Sequence, residues 1–142
     1  MEQKITAPND ADLAHIEKQR GWARDHYEPD AQHKYGTVEG KLRLLDTVIR
    51  SKWIEPSETW KLQSLGIALG DALVQALGLS WVMVEDEQGR DPALRDDGTT
   101  TIVFPLTMIS KRIERGEDVD VRELFALICK RVSEMRSGAT KH

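Results

Sequence analysis

The sequence predicts an α+β domain in which helices pack against a small antiparallel three-stranded meander. Three observations lead there. Residues 57–78 hold a helical apolar arc too wide for a surface helix, with Leu62, Leu65, Leu69, Leu73 and Leu77 along it. At Gly78 the period changes from 3.6 to 2. Two turn signals, Glu87-Gln88-Gly89-Arg90 and Asp96-Asp97-Gly98, divide residues 80–104 into short strands.

Residues 1–8 are read as a flexible N-terminus and 137–142 as a polar flexible tail, leaving 9–136 as a single domain. Asn9 or Asp10 caps a first helix to about Tyr27, with Leu13, Ile16, Ala23 and Tyr27 inward. Glu28 to Gly36 is polar, holds Pro29 and reads as a loop. Thr37 caps a second helix to about Trp53, which turns through Pro56 into the central helix. Gly66 and Gly70 lie one turn apart on the apolar side of that helix. Each costs about 1 kcal/mol relative to alanine, so another element is expected to approach closely there.

Residues Trp81 to Val84 and Thr99 to Phe104 are the outer strands of the meander, and Pro92 makes the middle one, through Ala93 and Leu94, irregular or partly an edge. Pro105 opens a short helix closed by Gly116. The last helix starts at an Asp120/Glu123 capping box, and its apolar stripe runs to about Arg136.

Composition excludes several classes of function. With 39% apolar and 31% charged residues, the 142-residue chain has the make-up of a soluble globular protein. Its first twenty residues contain no apolar run, so the reading is of a cytoplasmic protein without signal peptide or membrane anchor. Cys129 is the only cysteine, which rules out an internal disulfide and a thiolate metal cluster. A net charge of −4 argues against general nucleic-acid binding. His15 and His26 share a helix but stand roughly 16 Å apart at 1.5 Å per residue, too far for one metal ion. The acidic turns do not make a calcium loop: with Gly89 as its sixth residue, Val84 and Arg95 fall where ligands are required. No cofactor motif is present: there is no P-loop, G-x-G-x-x-G, G-x-S-x-G or H-E-x-x-H.

The candidate binding residues are Trp60, Asp71, Trp81, Arg90, Lys111, Arg112 and Arg115. Asp71 is the acid nearest the densest apolar segment, which would suit a general base or a site role with Arg90 or Lys111; its projection beside Ser64 and Gln75 suits a solvated or locally hydrogen-bonded carboxylate instead. Lys111, Arg112 and Arg115 share the outer face of the helix after Pro105, where a phosphate or an acidic partner could be held. Trp81 reads as core, and so does Trp60 at the edge of the apolar arc, with the lining of a groove as its alternative.

Thr59-Trp60, Leu65-Gly66, Leu69-Gly70-Asp71, Trp81, Gly89-Arg90, Phe104-Pro105 and Ile109-Ser110-Lys111-Arg112, taken as an ordered set, resemble a family of bacterial domains of unknown function, of the DUF3806 type. The resemblance spans about Thr37 to Arg131. It implies a bacterial source and a compact α+β fold, and it implies no catalytic residue. The expectation is a small protein that acts by binding another protein, as an immunity, adaptor or regulatory protein does. The alternative is an enzyme or small-molecule binder whose pocket lies between the central helix and the strands, lined by Asp71, Trp60, Trp81 and Arg90.

Overall fold

A computed structural model describes residues 3–140. The chain forms strand β1 (Lys4–Thr6), helix α1 (Asp10–Arg24), a 3₁₀ segment (Pro29–Gly36), helices α2 (Val38–Ser51) and α3 (Thr59–Leu77), and strands β2 (Ser80–Asp86), β3 (Gly89–Arg95) and β4 (Ile102–Val103). A 3₁₀ turn (Pro105–Thr107) then leads into α4 (Met108–Glu114) and α5 (Val121–Thr140).

Local chemistry sets the helix starts. At α1 the Asn9 side chain accepts from the Asp12 amide at 2.8 Å and the Asp12 carboxylate accepts from the Asn9 amide at 2.9 Å, a reciprocal cap. Thr37 accepts from the Gly40 amide at 2.9 Å to open α2. Asp120 accepts from the Glu123 amide at 3.1 Å to open α5. The helix α1 buries Ile16, Gln19 and Ala23, whereas Leu13, expected inward, is 51% exposed. The stretch expected to be a loop, 28–36, is a 3₁₀ segment that buries Tyr35.

The sheet is antiparallel throughout, in the order β1-β2-β3-β4, and so has four strands where the sequence predicts three. The addition is β1. Lys4, Ile5 and Thr6, within the stretch expected to be flexible, pair with Glu85, Val84 and Met83. β2 is seven residues long, and its edge away from β3 would otherwise expose unpaired backbone groups. Three residues are too few for an alternating pattern to show in the sequence. At the other end α5 runs to Thr140, past the Arg136 at which its apolar stripe stops; residues 1, 2, 141 and 142 lie outside the described residues. Pro92 sits within β3 opposite Met83, at a point where β4, which pairs only with Leu94 and Arg95, does not reach.

α3 is the centre of the core, with every residue from Ser64 to Leu73 buried. Its two interior glycines serve close approach. A methyl at Gly66 would lie 2.7 Å from the Pro105 carbonyl, and one at Gly70 would lie 2.6 Å from Cζ2 of Trp81. The 3₁₀ turn and the first part of β2 therefore rest directly on the α3 backbone. Gly78, with φ 69°, ends α3 in the left-handed region and turns the chain into β2.

α5 is tied down at the other end of the sheet. Arg136 donates to the Asp96 carboxylate at 2.9 and 3.2 Å and to the Leu77 carbonyl at 2.5 Å. That hydrogen-bonded guanidinium holds the Asp96 carboxyl below its ordinary value.

Gly66→Ala should destabilise the protein by about 1–3 kcal/mol through overpacking. Gly21→Ala, where the nearest atom a methyl would meet is on the Arg24 guanidinium at 3.5 Å, should stabilise it by up to about 1 kcal/mol; urea titration reads both signs. Because the folded Asp96 is the stronger acid, its contribution is complete above its unfolded value, about pH 3.9, and is lost as pH falls through the lower folded value. Arg136→Gln should flatten the acid limb of the urea midpoint plotted against pH.

Candidate functional site

The densest polar cluster lies where α1, the 3₁₀ segment, α3 and β2 meet. Asp71 projects from the last third of α3 and is 9% exposed. Its carboxylate accepts four hydrogen bonds. Arg20 of α1 donates Nε to Oδ2 at 2.6 Å and Nη2 to Oδ1 at 2.8 Å. The Tyr35 hydroxyl donates to Oδ2 at 2.6 Å and the Trp81 indole N–H to Oδ1 at 3.1 Å. The Trp81 ring is positioned for this bond because Gly70 gives it room.

Around this centre the charges are graded. Arg20 also donates to Glu17 at 2.8 Å, and its bond to Asp71 pushes its already high pKa further up. Burial, and then the adjacent Asp71 charge, push the Tyr35 phenol far above its ordinary value. Lys41 is 6% exposed; its Nζ donates to Gln75 Oε1 at 2.7 Å and stands 4.9 Å from the Tyr35 ring centroid. Desolvation lowers the Lys41 pKa. Gln75 in turn donates to the Gly36 carbonyl at 2.8 Å.

Asp71 is therefore a buried, saturated carboxylate. A general base needs a lone pair free for the substrate proton, and here each oxygen already has two donors. The sequence readings of Asp71 as solvated or locally bonded, or as a partner of Arg90 or Lys111, are corrected: the stripe that holds Ser64, Ala68 and Asp71 faces α1, so all three are buried, and the partners of Asp71 are Arg20, Tyr35 and Trp81. Arg20, Tyr35 and Lys41 are the members that sequence reasoning missed. The signal for Arg20 was its place on the Ile16–Ala23 side of α1; Tyr35 stood in a segment read as loop.

The other candidates are spread over the molecule. Arg90 donates to Asp12 at 2.5 and 3.4 Å and lies 3.9 Å from Glu85, which joins β3 to the start of α1. It borders a cleft of about 230 Å³ with Asp12, His15, Gln19, Gln63 and Leu106; Asp71, Trp60 and Trp81 do not line it. On α4, Lys111 is exposed, Arg112 is half-buried with Nη1 on the Met108 carbonyl at 2.8 Å, and Arg115 pairs with Glu117 at 2.5 Å. Burial raises the Cys129 thiol pKa, which keeps it from acting as a thiolate. Among the described residues no group of three or more His, Cys, Asp or Glu could hold a metal ion. No described helix is long and apolar enough to cross a membrane.

Trp60 belongs to a second constellation. Its ring meets Trp22 edge-on at 6.2 Å, Trp22 meets His26 edge-on at 4.5 Å, and His26 lies within 18° of parallel to Trp53 at 6.5 Å. His26 Nδ1 stands 3.0 Å from the Trp22 carbonyl, which fixes the ring beside the Trp22 indole. Trp53 is 66% exposed and Trp60 36%, so the core reading of Trp60 is corrected: its ring lies on Trp22 at the surface. Trp22 lies in the last turn of α1 and His26 in the turn just beyond it, four residues on, and the α2–α3 link and the first turn of α3 supply the other two rings. The four rings form a continuous aromatic ledge on the surface.

Fold and sites together define a mixed helix-and-strand domain, with a four-stranded antiparallel sheet and an internally saturated acid at the helix–sheet junction. The family is now plain: the model of the domain of unknown function DUF3806 matches residues 41–125, and the chain belongs to that family. Lys41, Asp71, Gln75 and Trp81 lie inside the matched stretch, Arg20 and Tyr35 outside it. No curated protein matches the chain. Among solved structures, a crystal structure from Bacteroides thetaiotaomicron VPI-5482 at 1.50 Å resolution is similar, with a TM-score of 0.74 at 13% identity over 92% of this chain. The chain spans about half of that protein, 48% of its length, and the likeness is one of fold.

Asp71→Ala should cost about 2–4 kcal/mol, since it leaves the Tyr35 and Trp81 donors unpaired and takes one of two carboxylate partners from the partly buried Arg20 guanidinium, which keeps Glu17. Tyr35→Phe, which removes one of four donors and keeps the ion pair, should cost about 1 kcal/mol. Urea unfolding measures both, and an Asp71→Ala variant as stable as Tyr35→Phe would contradict the keystone role.

Proposed function

We propose that the domain is a small cytoplasmic bacterial protein that acts by binding another protein, in an immunity, adaptor or regulatory role. One observation carries this reading: an aromatic ledge of Trp22, His26, Trp53 and Trp60 stands at the surface with two of its indoles substantially exposed. Tryptophan is among the residues most enriched where binding energy concentrates at interfaces, and burying it on its own core is the ordinary outcome in a free domain. The saturated Asp71 supports binding over catalysis, because its carboxylate has no lone pair left for a substrate proton. The charged surface of Arg90, Lys111, Arg112 and Arg115 is the weaker candidate, since three of the four are engaged internally.

Crosslinking capture in the native host, with wild type, Trp53→Ala/Trp60→Ala and Lys111→Glu/Arg115→Glu compared, separates the two surfaces. The expected result is a partner that is lost by the tryptophan variant, with its circular dichroism unchanged, and kept by the charge-reversal variant. A partner kept by the tryptophan variant would discard the ledge.

A further inference from the structure

The charges beside the ledge specify the surface that would cover it. Residues 22–30 and 50–61, which carry the four rings, hold Arg24, Arg50, Lys52 and Lys61 against Asp25, Glu28, Asp30, Glu55 and Glu58. Three of the four cations are matched: Arg24 with Glu17, Arg50 with Asp46 and Lys61 with Glu58. Asp25 accepts from the neutral Gln32 amide, at 3.2 Å. Among the described residues, no ion pair engages Asp25, Glu28, Asp30 or Glu55, so the unpaired charge of these two segments is that of four carboxylates against Lys52. Asp25 adjoins His26 in the chain and Glu55 stands two residues from Trp53.

An indole face is the best aromatic surface for a cation, and an arginine guanidinium adds planar stacking to that attraction. Exposed indoles whose flanking residues in the chain carry unmatched carboxylates therefore have one complementary chemistry. We infer that the ledge takes a basic segment of a partner protein, with one arginine guanidinium laid against the Trp53 ring and another against the Trp60 ring at the opposite end of the ledge, and their charge met by Asp25, Glu28 and Glu55. The inference rests on the binding role proposed above and specifies the partner's side of it. Arginine suits the site better than lysine, because its flat, weakly hydrated group can stack and still donate at its edge to a carboxylate.

The probe is a short peptide containing two arginines, compared with the same peptide bearing citrulline in their place. Citrulline keeps the planar shape and loses the charge. Quenching of tryptophan fluorescence is monitored in the full-length protein and in Trp53→Ala, Trp60→Ala and Glu55→Gln. The arginine peptide should bind roughly tenfold or more tightly than the citrulline peptide, and more weakly as salt rises. Trp53→Ala or Trp60→Ala should weaken it severalfold, and Glu55→Gln should reduce both its affinity and its salt dependence. All three changes lie at exposed positions, so thermal denaturation of each variant checks that the fold is retained.

Equal binding of the two peptides, or binding of neither, overturns the inference. If a native partner is nevertheless lost on Trp53→Ala/Trp60→Ala, the ledge remains a protein-binding surface and only the basic character of its partner is wrong. If the partner is indifferent to those substitutions, the ledge itself is rejected.

Discussion

Four hydrogen bonds converge on one carboxylate, and the tertiary structure depends on them. Asp71 collects a guanidinium from α1, a phenol from the 3₁₀ segment and an indole N–H from β2, so one side chain of α3 fixes three other elements. A buried ion pair is a poor source of net stability, because desolvation offsets the attraction. Its value here is uniqueness of placement. Apolar contacts alone would let α1 slide on α3, whereas a bidentate guanidinium has a single register.

The same junction explains the two glycines. A helix buried all round must accept neighbours on every side, and at Gly66 and Gly70 those neighbours are a chain carbonyl and an indole ring. Gly70 and Asp71 are adjacent, so the residue that admits the Trp81 ring precedes the one that accepts its N–H. Packing and hydrogen bonding are thus satisfied by consecutive residues, and neither could be changed without disturbing the other.

Much of the fold was legible because it is encoded locally. The Asn9, Thr37 and Asp120 caps, the Gly78 turn and the wide apolar arc of α3 each depend on residues within a few positions of one another. The features that escaped are non-local. β1 has three residues and exists because β2 offers an edge. The burial of Asp71 depends on an arginine fifty-one positions earlier in the chain. The tryptophans were conspicuous in the sequence one by one, but their alignment requires knowing that the α2–α3 link passes the end of α1. Only the Trp22–His26 spacing of four carried part of that information.

The placement of β1 also bears on how the chain reaches this structure. Lys4 pairs with Glu85, so the first strand joins the sheet only after α1, α2 and α3 have been spanned. The β2–β3 hairpin, by contrast, closes across two residues. Loop-closure entropy favours the hairpin and the neighbouring helices as early structure and leaves the N-terminal strand to dock late. By the same reasoning its three rungs are the place where the sheet opens at least cost, so amide hydrogens of β1 should exchange through local opening long before those of α3.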